Sequence, residues 1–402
     1  MKIEQIRIRN YKALKDVEIR DIKNLSVFLG ANGSGKSTLF DAIGFLSDSL
    51  KHNVKYALTK RGGMIEVISR NQKPPIEFEI KFRNFREDTK KKPPLITYFL
   101  QIGEEDNSPI VLKEILSYRR GSGGHGRPWR FLDFSKGKGQ AIINEDEYGK
   151  EGAQEKREEQ FLDSPDILAL KGLGQFQKFK AVASFRRLLE NWYVSNFHIQ
   201  ASRTVQELTI SEHLSSEGEN LAAVTQFIYS NHPEIFSKIL EKMKKRVPGI
   251  EGVTANDTID GRIVLKFKDG SFRDPFIARY VSDGTLKMFA YLILLHDPVP
   301  YPLLCIEEPE NFLHHALMNQ LAEEFREYAN NGGQVFISTH SPEFVNALNI
   351  EEVYWLTKES GFSIIKKASE TEIVEKMVQE GEPLGQLWKQ GYLKGSNPIE
   401  NH

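Results

Sequence analysis

The sequence GANGSGKST at residues 30–38 decides the fold of this chain. It follows an apolar run at residues 25–29 and precedes a segment, residues 39–46, whose apolar side chains recur at helical spacing. The order strand, glycine-rich loop, helix is the context that the phosphate-binding pattern G-x-x-x-x-G-K-[ST] requires. We therefore predict that main-chain N–H groups of this loop, the P-loop, face the phosphates of a nucleotide.

Two side chains of the P-loop have specific roles in this pattern. Lys36 is predicted to reach the β- and γ-phosphate oxygens, and the Ser37 hydroxyl is predicted to bind Mg²⁺. A purely structural glycine turn would not need this Lys-Ser pair. The predicted cofactors are therefore ATP and Mg²⁺. The residues of the loop predicted to bind the nucleotide are Asn32, Gly33, Ser34, Gly35, Lys36, Ser37 and Thr38.

A second stretch, PLLCIEEPE at residues 302–310, is an apolar strand that ends in carboxylates. A buried strand can present a carboxylate at its C-terminal edge, and we predict that Glu307 binds the metal there and is catalytic. The next residue, Glu308, is predicted to polarise the water that attacks the γ-phosphate. The first carboxylate of such strands is usually Asp; Glu307 is one methylene longer, which alters the coordination but not the charge. The alternative is a core strand followed by a charged loop.

The stretch VSDGTL at residues 281–286, followed by an apolar helix, resembles the Ser-Gly-Gly signature loop of ABC-like ATPases. In that loop a serine and the amides at a helix N-terminus grip a γ-phosphate. Ser282, Asp283 and Gly284 are therefore predicted to bind nucleotide. The grip is on the nucleotide of a partner subunit, which implies a homodimer.

The stretch VFISTHSP at residues 335–342 puts His340 at the end of an apolar strand. The related ATPases hold their γ-phosphate-sensing histidine at this place, so His340 is predicted to be catalytic together with Glu307 and Glu308. A lone histidine is more often structural, but the strand position and the order along the chain favour the functional role.

The motifs together carry a wider resemblance. The stretches concerned are residues 10–14, 282–286, 306–314 and 338–342. They look like the RecF/OLD/SMC branch of ABC-type ATPases, and more narrowly like the stand-alone predicted ATPases of bacterial defence loci. Weaker matches at residues 213–221 and 384–393 extend the resemblance over nearly the whole chain. The resemblance implies an enzyme that hydrolyses ATP and closes as a head-to-tail dimer around two MgATP molecules.

The predicted fold class is α/β: an ABC-type P-loop ATPase head with a parallel central sheet, an antiparallel β layer and an inserted helical lobe. Strand-like alternation fills residues 75–135, and residues 150–248 read as mainly helical. Parallel strands need crossover helices, and alternating strand and helix patterns occur around the P-loop and near the C-terminus. We predict that residues 1–75 and 275–402 form the ATPase core and that residues 76–274 form the inserted β layer and helical lobe.

The resemblance also implies roles for single residues. Residues 311–314 would form the loop that touches the other subunit, with His314 where transporter-type ATPases have Asp. Lys12 either contacts a phosphate or is a solvated lysine. The glutamine of the Q-loop should lie on the first strand after the P-loop helix, and Gln72 is a candidate.

The charge balance bears on nucleic-acid binding. With 54 Lys+Arg against 55 Asp+Glu, the chain lacks the basic excess typical of a nucleic-acid-binding protein. Contact with DNA would depend on local patches at residues 90–92, 119–130 and 242–246, each of which is equally consistent with a solvated face. The charge run at residues 150–159 is predicted to be a solvated loop or helix face.

The chain has no run of 18 to 20 apolar residues and no signal-peptide pattern, so we expect a cytoplasmic protein without membrane contact. Its single cysteine, Cys305, excludes an internal disulfide and a thiolate zinc site.

Three functions remain open. The chain is the ATPase subunit of an anti-phage system that senses DNA or a phage-made structure and controls a partner nuclease, or a RecF-like repair ATPase that clamps DNA alone, or a non-catalytic switch that organises an assembly. The sequence contains no metal-spaced His cluster, no HNH pattern and no nucleophile elbow. An effector in a separate protein is therefore favoured.

Overall fold

The computed structural model describes residues 2–83, 95–119, 128–147, 154–204, 206–207 and 211–397. The strands in these ranges are β1 (Lys2–Tyr11), β2 (Leu14–Ile19), β3 (Leu25–Leu29), β4 (Ile76–Arg83), β5 (Leu95–Glu105), β6 (Ser108–Arg119), β7 (Pro128–Ser135), β8 (Lys138–Ile142), β9 (Arg157–Phe161), β10 (Trp192–Ser195), β11 (Gln206–Glu207), β12 (Ile250–Asp257), β13 (Arg262–Asp269), β14 (Phe276–Ile277), β15 (Leu303–Glu307), β16 (Gln334–Thr339), β17 (Val353–Glu359) and β18 (Phe362–Lys367).

The helices are interspersed among these strands. They are α1 (Lys36–Lys51), α2 (Val54–Thr59), α3 (Met64–Val67), α4 (Ala169–Leu173), α5 (Lys180–Glu190), α6 (Ile199–Ser202), α7 (Leu221–Asn231), α8 (Pro233–Arg246), α9 (Asp283–Leu295), α10 (Met318–Asn330), α11 (Pro342–Val345), α12 (Glu372–Gln379) and α13 (Leu384–Lys389). Every helix in the described residues is too short or too polar to cross a lipid bilayer.

The chain divides into two compact units. The first comprises Met1–Trp192, Ile350–Gly381 and Leu387–His402, and the second comprises Tyr193–Asn349 and Glu382–Gln386. The boundaries proposed from the sequence for the ATPase core and the inserted region stay a prediction.

An eight-stranded antiparallel sheet dominates the first unit, in the order β2-β1-β4-β5-β6-β7-β8-β9. Alternate residues of β4 are fully buried because its side chains point in turn to the two faces of the sheet. Its inward residues include Phe78 and Phe82, and Phe82 stacks on Phe185 of α5 with ring centroids 4.3 Å apart. The antiparallel layer expected between residues 75 and 135 is thereby confirmed.

The predicted strand, loop and helix around the P-loop are also confirmed. All five residues of β3 are buried, and the strand pairs in parallel with β17, with Val27 opposite Val353. Burial on both faces explains the continuous apolar run. Helix α1 follows the loop and buries residues such as Leu39 and Ile43.

One prediction of local structure was wrong. The charge run at residues 150–159 was expected to be a solvated loop or helix face. Residues 150–153 lie outside the described residues, and the last three residues of the run belong to strand β9. This strand lies at the edge of the large sheet and pairs with β8, with Glu159 opposite Gln140. The ladder pairs the main-chain groups that face β8, while the charged side chains stay partly exposed, as is common at sheet edges.

The second unit contains a parallel strand pair with a crossover helix. β15 and β16 run in parallel, with Glu307 opposite Ser338, and the chain between them forms the amphipathic helix α10. Because parallel strands end at the same edge, Glu307 and Glu308 lie beside the residues that follow Ser338. A small antiparallel sheet of β12, β13 and β14 belongs to the same unit.

A buried carboxyl group in the first unit connects β6 to helix α4. Glu114 is fully buried and accepts hydrogen bonds from the Tyr98 hydroxyl at 3.0 Å and from the N–H groups of Ala169 and Leu170 at 2.5 and 3.0 Å. Burial raises the pKa of Glu114 to about 7, although the three donors act in the opposite direction.

We expect this carboxyl group to make stability pH-dependent. Its folded-state pKa lies above its ordinary value, so the folded chain holds the proton more tightly than the unfolded chain does. Stability should therefore fall as the pH rises from roughly 4.5 to about 7 and then change no further on account of this group. The Glu114→Gln variant should lose that dependence, and its free energy of unfolding should fall by about 1–3 kcal/mol, because the new amide NH₂ faces a main-chain N–H donor in either orientation.

The measurement is the free energy of unfolding in urea at several pH values between 5 and 8. The exposed Glu104→Gln is the matched control and should behave like the unsubstituted chain. An identical pH dependence for the unsubstituted chain and Glu114→Gln would contradict the assignment.

Candidate active site

The P-loop is held in shape by close contacts with strand β18 in the first unit. Gly35, the residue before α1, has φ of 109°, and a Cβ at this position would lie 2.1 Å from the Ser363 hydroxyl. That hydroxyl donates to the Ser34 carbonyl at 2.6 Å. Glycine is therefore required at position 35 for two reasons, the positive φ and the lack of space.

The loop surrounds the ammonium of Lys36. This side chain is 6% exposed, and its Nζ donates to the carbonyls of Gly30 at 2.7 Å and Ala31 at 3.1 Å. The buried hydroxyl of Ser34 has no hydrogen-bond partner within the described part of the chain. Asn32, Gly33 and Ser37 are exposed, whereas Thr38 is half-buried. A buried cation, an orphaned hydroxyl and the start of a helix fit an anionic phosphate group.

A cavity of about 670 Å³ opens beside the P-loop and is confined to the first unit. Thr38 and Lys12 line it, together with Arg61 and Phe362. Lys12 is not a freely solvated lysine, because its Nζ lies 2.5 Å from Asp41 Oδ2. The position next to α1 makes this cavity a candidate for the rest of a nucleotide.

Asp41 connects Lys12 to Arg61, whose Nε lies 2.6 Å from the other carboxylate oxygen. Burial raises the pKa of Asp41, but the hydrogen bond from Lys12 and the charge of Arg61 lower it by more, so the pKa lies below its ordinary value. The carboxylate therefore stays ionised and neutralises part of the basic wall of the cavity.

In the second unit, Glu308 follows β15 in a strained conformation. Its φ is 45°, a value that non-glycine residues seldom adopt. Its N–H donates to the Ser338 carbonyl at 2.9 Å, and its Oε2 accepts from Asn311 Nδ2 at 2.7 Å. The carboxylate is about 40% exposed, so water can reach it. Strain of this kind clusters at functional sites.

His340 lies next to this carboxylate. Its Nε2 is 3.4 Å from Glu308 Oε1, and its main-chain N–H donates to Glu310 Oε1 at 2.6 Å. Glu310 also accepts from the Thr339 hydroxyl at 2.7 Å. The two predicted catalytic residues Glu308 and His340 are therefore adjacent, and Glu310 anchors the segment that carries the histidine. Their catalytic roles stay predictions.

The signature loop begins helix α9. The exposed Ser282 is its N-cap: its Oγ accepts from the Thr285 N–H at 3.2 Å. A Cβ on Gly284 would lie 2.7 Å from the Phe312 carbonyl, so only glycine fits at this contact. Serine at an N-cap has a structural explanation as well as the predicted role in binding a phosphate.

Arg203 holds the loop in front of α9. It donates to the carbonyls of Ala278, Arg279 and Val281 at 2.6–3.1 Å and contacts Asp283 Oδ1 at 2.5 Å. Asp283 is therefore engaged by an arginine of its own chain. Sequence reasoning missed Arg203 because it lies 80 residues before Asp283 and belongs to no motif.

Lys287 is a second residue that sequence reasoning missed. It is 5% exposed, and its Nζ donates to the Glu308 carbonyl at 3.1 Å. Burial lowers the pKa of Lys287 to about 8, although the charges of Glu310 and Glu308 oppose this shift. A lysine among the apolar residues of α9 was the one signal in the sequence that could have revealed it.

The remaining predicted residues occupy varied positions. Gln72 is exposed in the loop before β4 rather than on the strand. His314 Nδ1 accepts from the Ala316 N–H at 3.2 Å and so caps a short turn. Residues 90–92 and 120–127 of the basic patches lie outside the described residues. In the third patch, Lys242 contacts Glu324 and Glu327 at 2.6 and 2.9 Å, which neutralises part of its charge.

Comparison with known proteins places the P-loop, the strand that ends at Glu307, the signature loop and His340 within one family match. The family model described as "AAA domain, putative AbiEii toxin, Type IV TA system" matches residues 25–346. An ATP/GTP phosphatase of Helicobacter pylori is 22% identical over 362 residues, which cover 86% of this chain and 87% of that protein. The Old nuclease of Escherichia phage P2 is 25% identical over 231 residues, 46% of this chain and 39% of its own. The DNA replication and repair protein RecF of Lactococcus lactis is 34% identical over 56 residues, 14% of this chain and 16% of RecF.

Solved structures show the same architecture. A crystal structure of the Smc head bound to the C-winged helix domain of ScpA has a TM-score of 0.55 at 16% identity and covers 91% of this chain and 98% of the Smc chain. An Smc head with an extended coiled coil, derived from Pyrococcus furiosus and bound to the C-terminal domain of ScpA, has a TM-score of 0.54 at 14% identity and covers 94% and 99%. These likenesses concern the fold alone. They confirm the predicted fold class and, with the sequence relatives, the resemblance to the RecF/OLD/SMC branch.

Proposed function

We propose, from the premise that this chain belongs to the AAA-domain family whose model matches residues 25–346, that two copies close head to tail around two MgATP molecules and control a partner effector. The chain is an ABC-type ATPase of the RecF/OLD/SMC kind. Hydrolysis is the step that reopens the dimer. In this cycle the chain acts as an ATP-dependent switch.

The observation that carries the proposal is the arrangement at the end of β15. Glu308 is exposed enough to meet water, is held at a φ of 45° and lies 3.4 Å from His340. A carboxylate in this position can polarise an attacking water, and the adjacent histidine can respond to a γ-phosphate. The charge of the histidine depends on its protonation, so its contact with Glu308 strengthens when it is protonated.

The donors proposed for the metal suit Mg²⁺. Ser37 offers a hydroxyl and Glu307 a carboxylate, and both are the hard oxygen ligands that Mg²⁺ prefers. When bound, Mg²⁺ offsets the charge of the phosphates. Lys36 and the amides of the P-loop then bind the phosphate oxygens, and Ser282 and Gly284 of the partner subunit complete the site.

We propose that the output of the switch is bacterial anti-phage defence: the chain senses DNA or a phage-derived trigger and licenses a partner nuclease. The support is that the chain is similar to a relative named for a nuclease, over 231 residues, and to one named for DNA replication and repair, over 56 residues. A RecF-like ATPase that clamps DNA without an effector is the alternative that the RecF similarity favours. A nucleotide-dependent scaffold is the third.

Co-purification from the native locus tests the proposal. We expect the tagged Glu308→Gln chain, in the presence of Mg²⁺ and ATP, to retain a second protein encoded beside it, because the closed dimer accumulates. The Lys36→Ala chain, which cannot bind ATP, should retain several-fold less. The measurement is quantitative mass spectrometry of both samples.

Two outcomes would favour the alternatives. Recovery of DNA without a second protein would support the RecF-like function. Retention of the second protein in ATP by an unsubstituted chain that shows no ATP turnover would support a scaffold that does not need hydrolysis.

A further inference from the structure

Lys287 is a buried cation in an otherwise apolar stretch of helix α9. Its side chain is 5% exposed, and its ammonium lies over the rings of Tyr291 and Phe312, 5.5 and 5.7 Å from their centroids. Burial of a charge is unfavourable unless the charge makes a specific interaction. Here the interaction is a hydrogen bond to the Glu308 carbonyl, at 3.1 Å.

The main chain of Glu308 is held on both sides. Its N–H donates to the Ser338 carbonyl at 2.9 Å, and its carbonyl accepts a hydrogen bond from the ammonium of Lys287. Between these two bonds φ is 45°, a strained value that surrounding contacts must maintain. The Asn311 N–H also donates to that carbonyl, at 3.2 Å, which keeps the following turn in register.

We propose that Lys287 is a positioning residue for the catalytic carboxylate, because its ammonium holds the strained main chain of Glu308 and thereby directs the Glu308 side chain. The inference rests on the proposed role of Glu308 in hydrolysis. The direction of a side chain follows from its backbone conformation. In this conformation the carboxylate is placed with Oε1 3.4 Å from His340 Nε2 and Oε2 2.7 Å from Asn311 Nδ2.

Two substitutions separate the hydrogen bond from the packing. Lys287→Met keeps a long unbranched side chain beside Tyr291 and Phe312 but removes the donor. Lys287→Arg keeps a cation and a donor. A merely structural lysine would lower stability in both variants without a selective effect on turnover.

We expect Lys287→Met to lower kcat for ATP hydrolysis by about 10- to 100-fold, since small displacements of a catalytic group have effects of this size. The KM and the Kd for an ATP analogue should change by less than about twofold, because binding does not depend on Glu308. Lys287→Arg should recover a substantial part of the lost kcat.

Lys367 provides a matched control in the first unit. It is 9% exposed, its Nζ donates to the carbonyl of Asp21 at 3.2 Å, and it lies 5.5 Å from the centroid of the Tyr354 ring. Asp21 also has a positive φ, 49°. Lys367→Met therefore removes the same kind of contact and should reduce thermal stability without a comparable loss of kcat.

The test of the positioning role is the steady-state rate of ATP hydrolysis by Lys287→Met, Lys287→Arg and Lys367→Met. Glu308→Gln is measured in parallel. Normal turnover by Lys287→Met beside an inactive Glu308→Gln would overturn the positioning role and leave the proposed function intact. Equal losses of kcat in Lys287→Met and Lys367→Met, with no recovery in Lys287→Arg, would also overturn it. Normal turnover by Glu308→Gln would instead show that the proposed function itself is wrong.

Discussion

Replacing Glu308 with Gln is expected to reduce kcat for ATP hydrolysis by about a hundredfold or more, roughly 3 kcal/mol of barrier, and to leave ATP affinity unchanged. An amide has almost the same shape as the carboxylate but cannot polarise water as strongly. The side chain is about 40% exposed, and an amide oxygen can still accept from Asn311, so we expect the fold to be retained. The loss would therefore report on chemistry.

The consequence of this substitution for assembly follows from the proposed cycle. If ATP closes the dimer and hydrolysis releases it, Glu308→Gln should accumulate as a closed dimer in Mg²⁺ and ATP. ATP turnover measures kcat, binding of an ATP analogue measures the affinity, and light-scattering mass measures the fraction of dimer. The exposed Glu323→Gln on α10 is a matched control and should hydrolyse ATP normally. Glu307→Gln should instead weaken the dependence on Mg²⁺ concentration.

Normal hydrolysis by Glu308→Gln would remove this residue from the catalytic role. Glu307 or Glu310, whose carboxylates belong to the same segment, would then be the candidates for the catalytic role. Loss of ATP binding in Glu308→Gln would also contradict the assignment, because binding is attributed to the P-loop.

A mixture of two inactive variants is expected to recover activity if the dimer is head to tail. Lys36→Ala removes the lysine predicted to bind the phosphates, and Ser282→Arg should block the predicted signature loop, so each homodimer is expected to have two defective sites. In a mixed dimer one site combines the intact P-loop of one chain with the intact signature loop of the other. Random pairing of equal amounts should restore about a quarter of the wild-type rate if the two sites act independently.

The control is a mixture in which both defects lie in the P-loop, Lys36→Ala with Ser37→Ala. No site in that mixture is intact, so it should stay inactive. The measurement is ATP turnover as a function of the mixing ratio. Absence of recovery with Lys36→Ala and Ser282→Arg, when both chains are shown to form mixed dimers, would contradict the head-to-tail arrangement.

The sequence by itself determined the features that are local along the chain. The P-loop needs only residues 25–46, because a buried strand, a glycine-rich turn and an amphipathic helix each have a short-range pattern. The strands from β4 to β7 were predictable for the same reason, since side chains of a strand alternate between its two faces. Motif order along the chain then identified the family.

Only the tertiary structure decided the contacts between distant residues. Lys287 and Glu308 are 21 residues apart, and Arg203 and Asp283 are 80 residues apart. No periodicity encodes such pairs, because they form only when folding brings separate helices, strands and loops together. The same holds for β9, whose charged sequence is typical of a solvated loop and which becomes a strand through its pairing with β8. The strained φ of Glu308 has this origin as well: hydrogen bonds from Lys287 and to Ser338 hold a conformation that the local sequence does not favour.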